Sequence, residues 1–223
     1  MKHLILIAFL LSLSSCDGQN KKKPVQKTTT VKNKTTHLIK KENMEYYNEN
    51  EYKDWKIDPE HCSLFPCADN DKFIMKGDER INIFTDEKRF IQVERSSIIN
   101  PYKIVKVYSF KNKQLLNLSQ DFYSSPVSYE KYDEKGKIVE VKNYNEPYKF
   151  TIEDLIEKIK KEYNVDLVDK SEGSAAGRTS KDDVFYYEVF LKSKKDGYAK
   201  MEYLLIDGTT GKTDLKSDFH VTP

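Results

Sequence analysis

Thiols and imidazoles are the side chains in this sequence best suited to chemistry, and they are few: Cys16, Cys62 and Cys67, with His3, His37, His61 and His220. Cys62 and Cys67 bound a short run, His61-Cys62-Ser63-Leu64-Phe65-Pro66-Cys67. Three states suit it. The thiols can join in a disulfide across a tight loop, which stabilises less than one closing a long loop, about 2 kcal/mol. They can stay free. Alternatively, His61 and two thiolates can supply three of four zinc ligands, although no second Cys or His cluster lies nearby to complete the set. The spacing is not the C-x-x-C of redox pairs.

Other catalytic patterns fail on spacing. The chain has no Gly-x-Ser-x-Gly elbow and no His-Glu-x-x-His. Gly173-Ser174-Ala175-Ala176-Gly177-Arg178-Thr179-Ser180 is glycine-bearing, but reads Gly-Arg-Thr where a phosphate loop needs Gly-Lys-Ser/Thr at the start of a helix. Asp69 with Asp71, and Asp182-Asp183, read as solvated turn carboxylates. No catalytic, cofactor-binding or metal-binding residue is assigned, no cofactor is expected, and the chain reads as a non-enzyme.

The elements carrying these residues begin with a segment unlike the rest. Lys2 precedes an apolar run over residues 4–11, followed by Leu13-Ser14-Ser15-Cys16. The run is far shorter than the roughly 20 residues a membrane-spanning helix needs. It resembles the lipobox signal peptide of bacterial lipoproteins. That resemblance implies export, removal of residues 1–15, and acylation of the Cys16 thiol with palmitate-type chains. A single chain binds reversibly, whereas two or three hold firmly. The implied location is the cell membrane or outer membrane, facing the periplasm or cell exterior, with the membrane as a partner through the lipid on Cys16. Exported proteins favour disulfides, so this setting favours a Cys62–Cys67 bridge over free thiols or metal.

Residues 16–44 read as a Lys/Thr-rich tether, with Lys21, Lys22, Lys23, Lys27, Lys32, Lys34, Lys40 and Lys41 among Thr, Asn and Gln. Such composition buries too little apolar surface to order itself. Fully extended it reaches about 90 Å, and its lysines suit anionic headgroups. The whole chain sums to +2. Residues 1–43 hold nine lysines against two carboxylates, net +7, so residues 44–223 sum to −5. A mildly acidic body lacks the basic folded face of a nucleic-acid binder, and no nucleic-acid partner is expected.

Residues 45–148 alternate apolar and polar side chains in short runs, the period of antiparallel strands. Strands are expected at 73–75, 81–84, 90–95, 104–110, 115–123, 127–132 and 138–144, with turns at Gly77-Asp78, residues 111–114 and residues 133–137. Gly136 sits where that last turn needs positive φ. One helix is well marked. Thr151 caps it, Asp154 occupies the capping-box position, Ile152, Leu155, Ile156, Ile159 and Tyr163 form a stripe, and Asn164 ends it. A strand at 165–168, a loop over 171–183, strands at 185–191 and 201–207, and a turn at Lys195-Asp196-Gly197 follow.

The Thr-initiated helix, Tyr186-Tyr187-Glu188-Val189, the Asp-Gly turn and Ile206-Asp207 followed by Gly211-Lys212 resemble the PepSY domain across roughly residues 149–216. The resemblance implies one helix packed on an antiparallel sheet, and a role in binding or inhibiting proteases. The expected fold class is therefore α+β, mostly antiparallel β: a β region over 45–148 followed by a PepSY-like helix-on-sheet unit over 149–223. The chain's 15 Tyr and 11 Phe, many on strands, add rigid aromatic surface suited to protein contact. The expected function is non-catalytic binding of an envelope protein, with protease inhibition or modulation as its form. Neutralising an incoming toxin is the alternative, and an envelope hydrolase a second one. Gly173, Arg178, Tyr186 and Tyr187 are the expected partner contacts.

Overall fold

Alternation of Ile, Val and Phe with polar residues sends every second side chain to one face, and the chain answers with a sheet of strands taken in sequence order. The computed structural model describes residues 44–62, 69–192 and 200–220. After a 3-10 turn, Glu49–Tyr52, come β1 (Lys56–Ile57) and a single helical turn, α1 (Pro59–Cys62). Then follow β2 (Asp71–Lys76), β3 (Glu79–Asp86), β4 (Phe90–Ser97), β5 (Tyr102–Ser109), β6 (Leu115–Phe122), β7 (Ser125–Tyr132) and β8 (Ile138–Asn143). These eight form one antiparallel meander in the order β1 to β8. Gly136 closes the β7–β8 turn at φ 75°, as its position in the sequence demands.

Helix α2 (Ile152–Tyr163) starts on the capping box: Asp154 N–H donates to Thr151 Oγ1 (3.1 Å) while Thr151 N–H donates to Asp154 Oδ2 (2.9 Å). Asn164 ends it in the left-handed region, φ 55°. A second antiparallel sheet then runs β9 (Ala175–Lys181), β10 (Val184–Lys192), β11 (Lys200–Asp207) and β12 (Thr213–His220), again paired in sequence order.

The expected α+β class, with a PepSY-like helix-on-sheet unit, is overturned. Twelve strands in two antiparallel sheets carry a β-sandwich-like fold, and the described residues hold only two α-helices, one of them a single turn. The physical reason lies in the core. Ile152, Leu155 and Ile159 of α2, with Tyr148, Val165 and Leu167 from the segments before and after it, pack with Ala176, Tyr187, Val189, Leu191, Leu204 and Ile206 of the second sheet, and the large sheet adds Phe122 with Tyr102, Tyr123 and Val127. A second cluster lies within the meander, where Tyr52 packs with Ile74, Ile81, Ile83, Ile91, Val93, Tyr108 and Leu115. Strand side chains make up nearly all of the second cluster and just over half of the first.

Two local expectations also fail. Residues 165–168 are not a strand: Asp166 Oδ1 accepts from Val168 N–H (3.0 Å) and Leu167 O accepts from Tyr123 Oη (2.8 Å), so side chains take the ladder's place. The expected loop over 171–183 is a short 3-10 turn, Lys170–Glu172, followed by β9. Cys16, Cys67 and the side chain of Cys62, with the turn at residues 195–197 and the tether through residue 43, lie outside the described residues.

Candidate partner-binding site

Between β4 and β5 the sequence reads Ser96-Ser97-Ile98-Ile99-Asn100-Pro101, an apolar pair amid turn-forming residues. The turn is tied down at nearly every residue. Ser97 Oγ accepts from the N–H groups of Ile99 and Asn100, both at 3.1 Å, and donates to Asp78 Oδ2 (3.0 Å). Ile98 N–H donates to Asp78 O (2.9 Å), and Asn100 Oδ1 accepts from Tyr102 N–H (2.9 Å). Pro101 O accepts from Tyr123 N–H (2.8 Å) and Ile99 O from Lys170 N–H (2.8 Å), while Lys170 Nζ reaches Ser97 O (2.9 Å). The isoleucines nonetheless stay outside, Ile98 41% and Ile99 48% exposed.

A cleft flanks the turn on either side. One, about 430 Å³, is walled by His61, Arg80, Lys103, Tyr123, Lys170 and Ile98. The other, about 330 Å³, is walled by Asp78, Arg95, Ile99, Ile104 and Gln120. In the larger cleft most charges are already answered. Lys103 lies 3.3 Å from Glu94 and 3.5 Å from Asp121. Arg80 Nε lies 3.1 Å from the buried Asp58, and its Nη2 contacts Glu60. Lys170 is held by a backbone carbonyl. Burial, and then the Arg80 charge, push its ammonium below the ordinary lysine range. Burial first, and then the Asp166 and Asp169 carboxylates, push the Tyr123 hydroxyl up to about 12.

His61 is the one histidine placed against a carboxylate among the described residues, with Nδ1 3.2 Å from Asp58 Oδ2. Its setting is structural. Asp58 Oδ1 caps α1 through Glu60 N–H (3.0 Å), and the His61 ring stacks on Phe73 with centroids 4.9 Å apart. No group of three or more His, Cys, Asp or Glu able to hold a metal ion occurs among the described residues.

Of the four contact residues expected from sequence, Arg178 on β9 stands opposite Tyr187 on β10, its guanidinium 5.5 Å from that ring's centroid, with Tyr186 next to it, while Gly173 lies in the turn before β9. Gly173 ends the 3-10 turn that carries Lys170, with φ 71°. Tyr186 is half-buried within β10, opposite Thr179 and Asp207. Tyr187 is 1% exposed, and its hydroxyl donates to Phe150 O (2.9 Å). Arg178 bridges the sheets: Nη1 donates to Pro126 O (3.0 Å) and Tyr144 O (3.3 Å), Nη2 to Asn145 Oδ1 (2.5 Å), and the guanidinium lies 4.3 Å from the Tyr148 ring centroid. Ile98, Ile99 and Lys170 escape a linear reading, and the only signal for the first two is an apolar pair set in Ser/Asn/Pro turn composition. No helix among the described residues is long and apolar enough to cross a membrane. No family model matches this chain, nor does any curated protein or solved structure match it.

Proposed function

We propose that the protein is an exported, membrane-anchored lipoprotein that binds another envelope protein without catalysis, and that the turn over residues 97–101 is its contact. One observation carries the reading: two adjacent isoleucines stand exposed on a main chain pinned by hydrogen bonds. An apolar pair already held in one conformation loses little freedom on docking. Apolar anchors ringed by polar groups are also the usual anatomy of protein interfaces. Serines, Asn100, Arg95 and Lys170 form that ring here. Lys170, held by a carbonyl rather than a carboxylate, favours a partner segment bearing carboxylates.

Anchoring rests on Leu13-Ser14-Ser15-Cys16, with Cys16 as the acylated residue and the lysine-rich tether giving the folded body its reach. Protease inhibition or modulation is the form of binding proposed. The test is crosslinking capture from envelope extracts, with the full protein and an Ile98→Asp/Ile99→Asp variant as parallel baits. One dominant partner held by the first and lost by the second is expected, and its identity separates a protease from a toxin. Failure to enrich any partner, or equal capture by both baits, overturns the assignment.

A further inference from the structure

The open edge of the large sheet carries a second, independent signal. β8 is the last strand of the meander and pairs only with β7 among the described strands. Its apolar residues are exposed: Val139 56% and Val141 62%. Glu140 and Lys142, on the opposite face from Val141, pair with each other within the strand, Nζ to Oε1 3.0 Å.

The direction of the free backbone groups follows from one hydrogen bond. Tyr144 N–H donates to Val127 O (3.0 Å) on β7. Antiparallel ladders alternate hydrogen-bonded and non-bonded pairs. Lys142 and Glu140 therefore turn their main-chain groups towards β7, while Val141 turns both of its own to the open edge; the Asn143 carbonyl is taken by Glu146 N–H (3.3 Å). Lys131 faces Glu140 and Tyr132 faces Ile138, so Val139 is an extra, bulged residue that ends the regular run.

We infer that β8 pairs with β8 of a second copy, antiparallel, about a two-fold axis at Val141. In that register each Val141 exchanges both main-chain hydrogen bonds with its counterpart. Glu140 of each copy then stands opposite Lys142 of the other, in the non-bonded pairs where side chains approach most closely. The alternatives are penalised. Moving the axis to residue 140 sets Glu140 opposite Glu140, and moving it to residue 142 sets Lys142 opposite Lys142, and like charges directly opposite destabilise. Registers displaced by an odd number of residues set an edge-facing residue against one whose groups are already used by β7. Axes at residue 139 or 143 pair fewer residues of the strand and meet the bulge or the engaged Asn143 carbonyl. The charge order of the strand thus admits one self-pairing and opposes its neighbours. The contact is far smaller than the roughly 1,200–2,000 Å² of stable interfaces, so the pairing is weak and concentration-dependent.

Sedimentation of the full protein in detergent micelles tests it. Wild type should show a dimer fraction that grows with concentration. Glu140→Lys and Lys142→Glu should each weaken association about tenfold. An equimolar mixture of the two variants should restore it, because each then meets its opposite charge across the axis, which the intrastrand pair alone cannot explain. A wild type that stays monomeric, single variants that dimerise like wild type, or a mixture that does not recover would each overturn the inference. So would a Val141→Cys variant that crosslinks in envelopes to a different polypeptide and not to itself, which would give the edge to an extended segment of another protein.

Discussion

Arg178→Ala separates a contact residue from a structural one. The guanidinium makes three hydrogen bonds to the β7 start and the segment after β8, and lies over the Tyr148 ring. Each bond is worth about 1 kcal/mol net for a partly exposed donor, and the ring contact about 0.5–1 kcal/mol. Removing them costs about 3.5–4 kcal/mol, since the Pro126 and Tyr144 carbonyls lose their partner with the donor. In a domain of this size that lowers Tm by about 7–16 °C. Arg178→Lys keeps charge near the ring but loses the fork that serves several acceptors at once, so it should recover about half of the loss. Urea unfolding followed by circular dichroism, with Trp55 fluorescence as a second probe, measures both variants. A loss under about 0.5 kcal/mol, within the range of ordinary surface changes, combined with weakened partner capture, would refute the reasoning and return Arg178 to the surface role its sequence setting suggested.

Two further outcomes are expected. Asp182 and Asp183 form the two-residue β9–β10 turn with both φ values positive, 51° and 61°, and without a glycine. Asp183→Gly should therefore raise stability by about 0.5–1 kcal/mol, read as a higher urea midpoint, and a lower midpoint would contradict the strain argument. Asp166, through its bond from Lys160 and then Val168 N–H, and Asp207, through Thr210 N–H, are held below the ordinary carboxylate range. Depressed carboxylates add stability that is complete above about pH 4 and is lost as pH falls through their folded values. Melting curves should accordingly fall below that pH, and Asp207→Asn should flatten the fall; an unchanged slope would remove Asp207 from the account.

The meander was legible because its signals are local. Alternation over 81–84 and 90–95, and a glycine at residue 136, each act within a few residues, and the strands and turn stand where those signals put them. The same holds for the Thr151–Asp154 box. Residues 165–168 misled because Val165 and Leu167 are both buried, giving strand-like alternation to a segment whose backbone is satisfied by side chains. Residues 175–181 misled in the other direction: small residues read as loop, yet Ala176 is buried and the whole run pairs with β10. The fold class was missed because one conspicuous helix outweighed twelve modest strands. The clefts beside Ile98 and Ile99 bring together residues 61, 80, 97–103 and 170, a juxtaposition that no window of sequence contains.

Among the described residues every strand in both sheets is bonded to the strand before or after it in the chain, with no crossover in either sheet. Contacts of such short sequence separation need little loop closure before they form, which favours quick folding for an all-β chain. A polypeptide delivered from its N-terminal end, whether from a ribosome or across a membrane, can therefore zip up hairpin by hairpin in order of arrival. Two events are long-range: residues 45–47 bond to residues 106–115, and α2 with the second sheet closes late onto Phe122 and Tyr102. Until then the half-built sheet shows a bare apolar flank, and in that interval, more than in the finished protein, it is open to aggregation or to a chaperone.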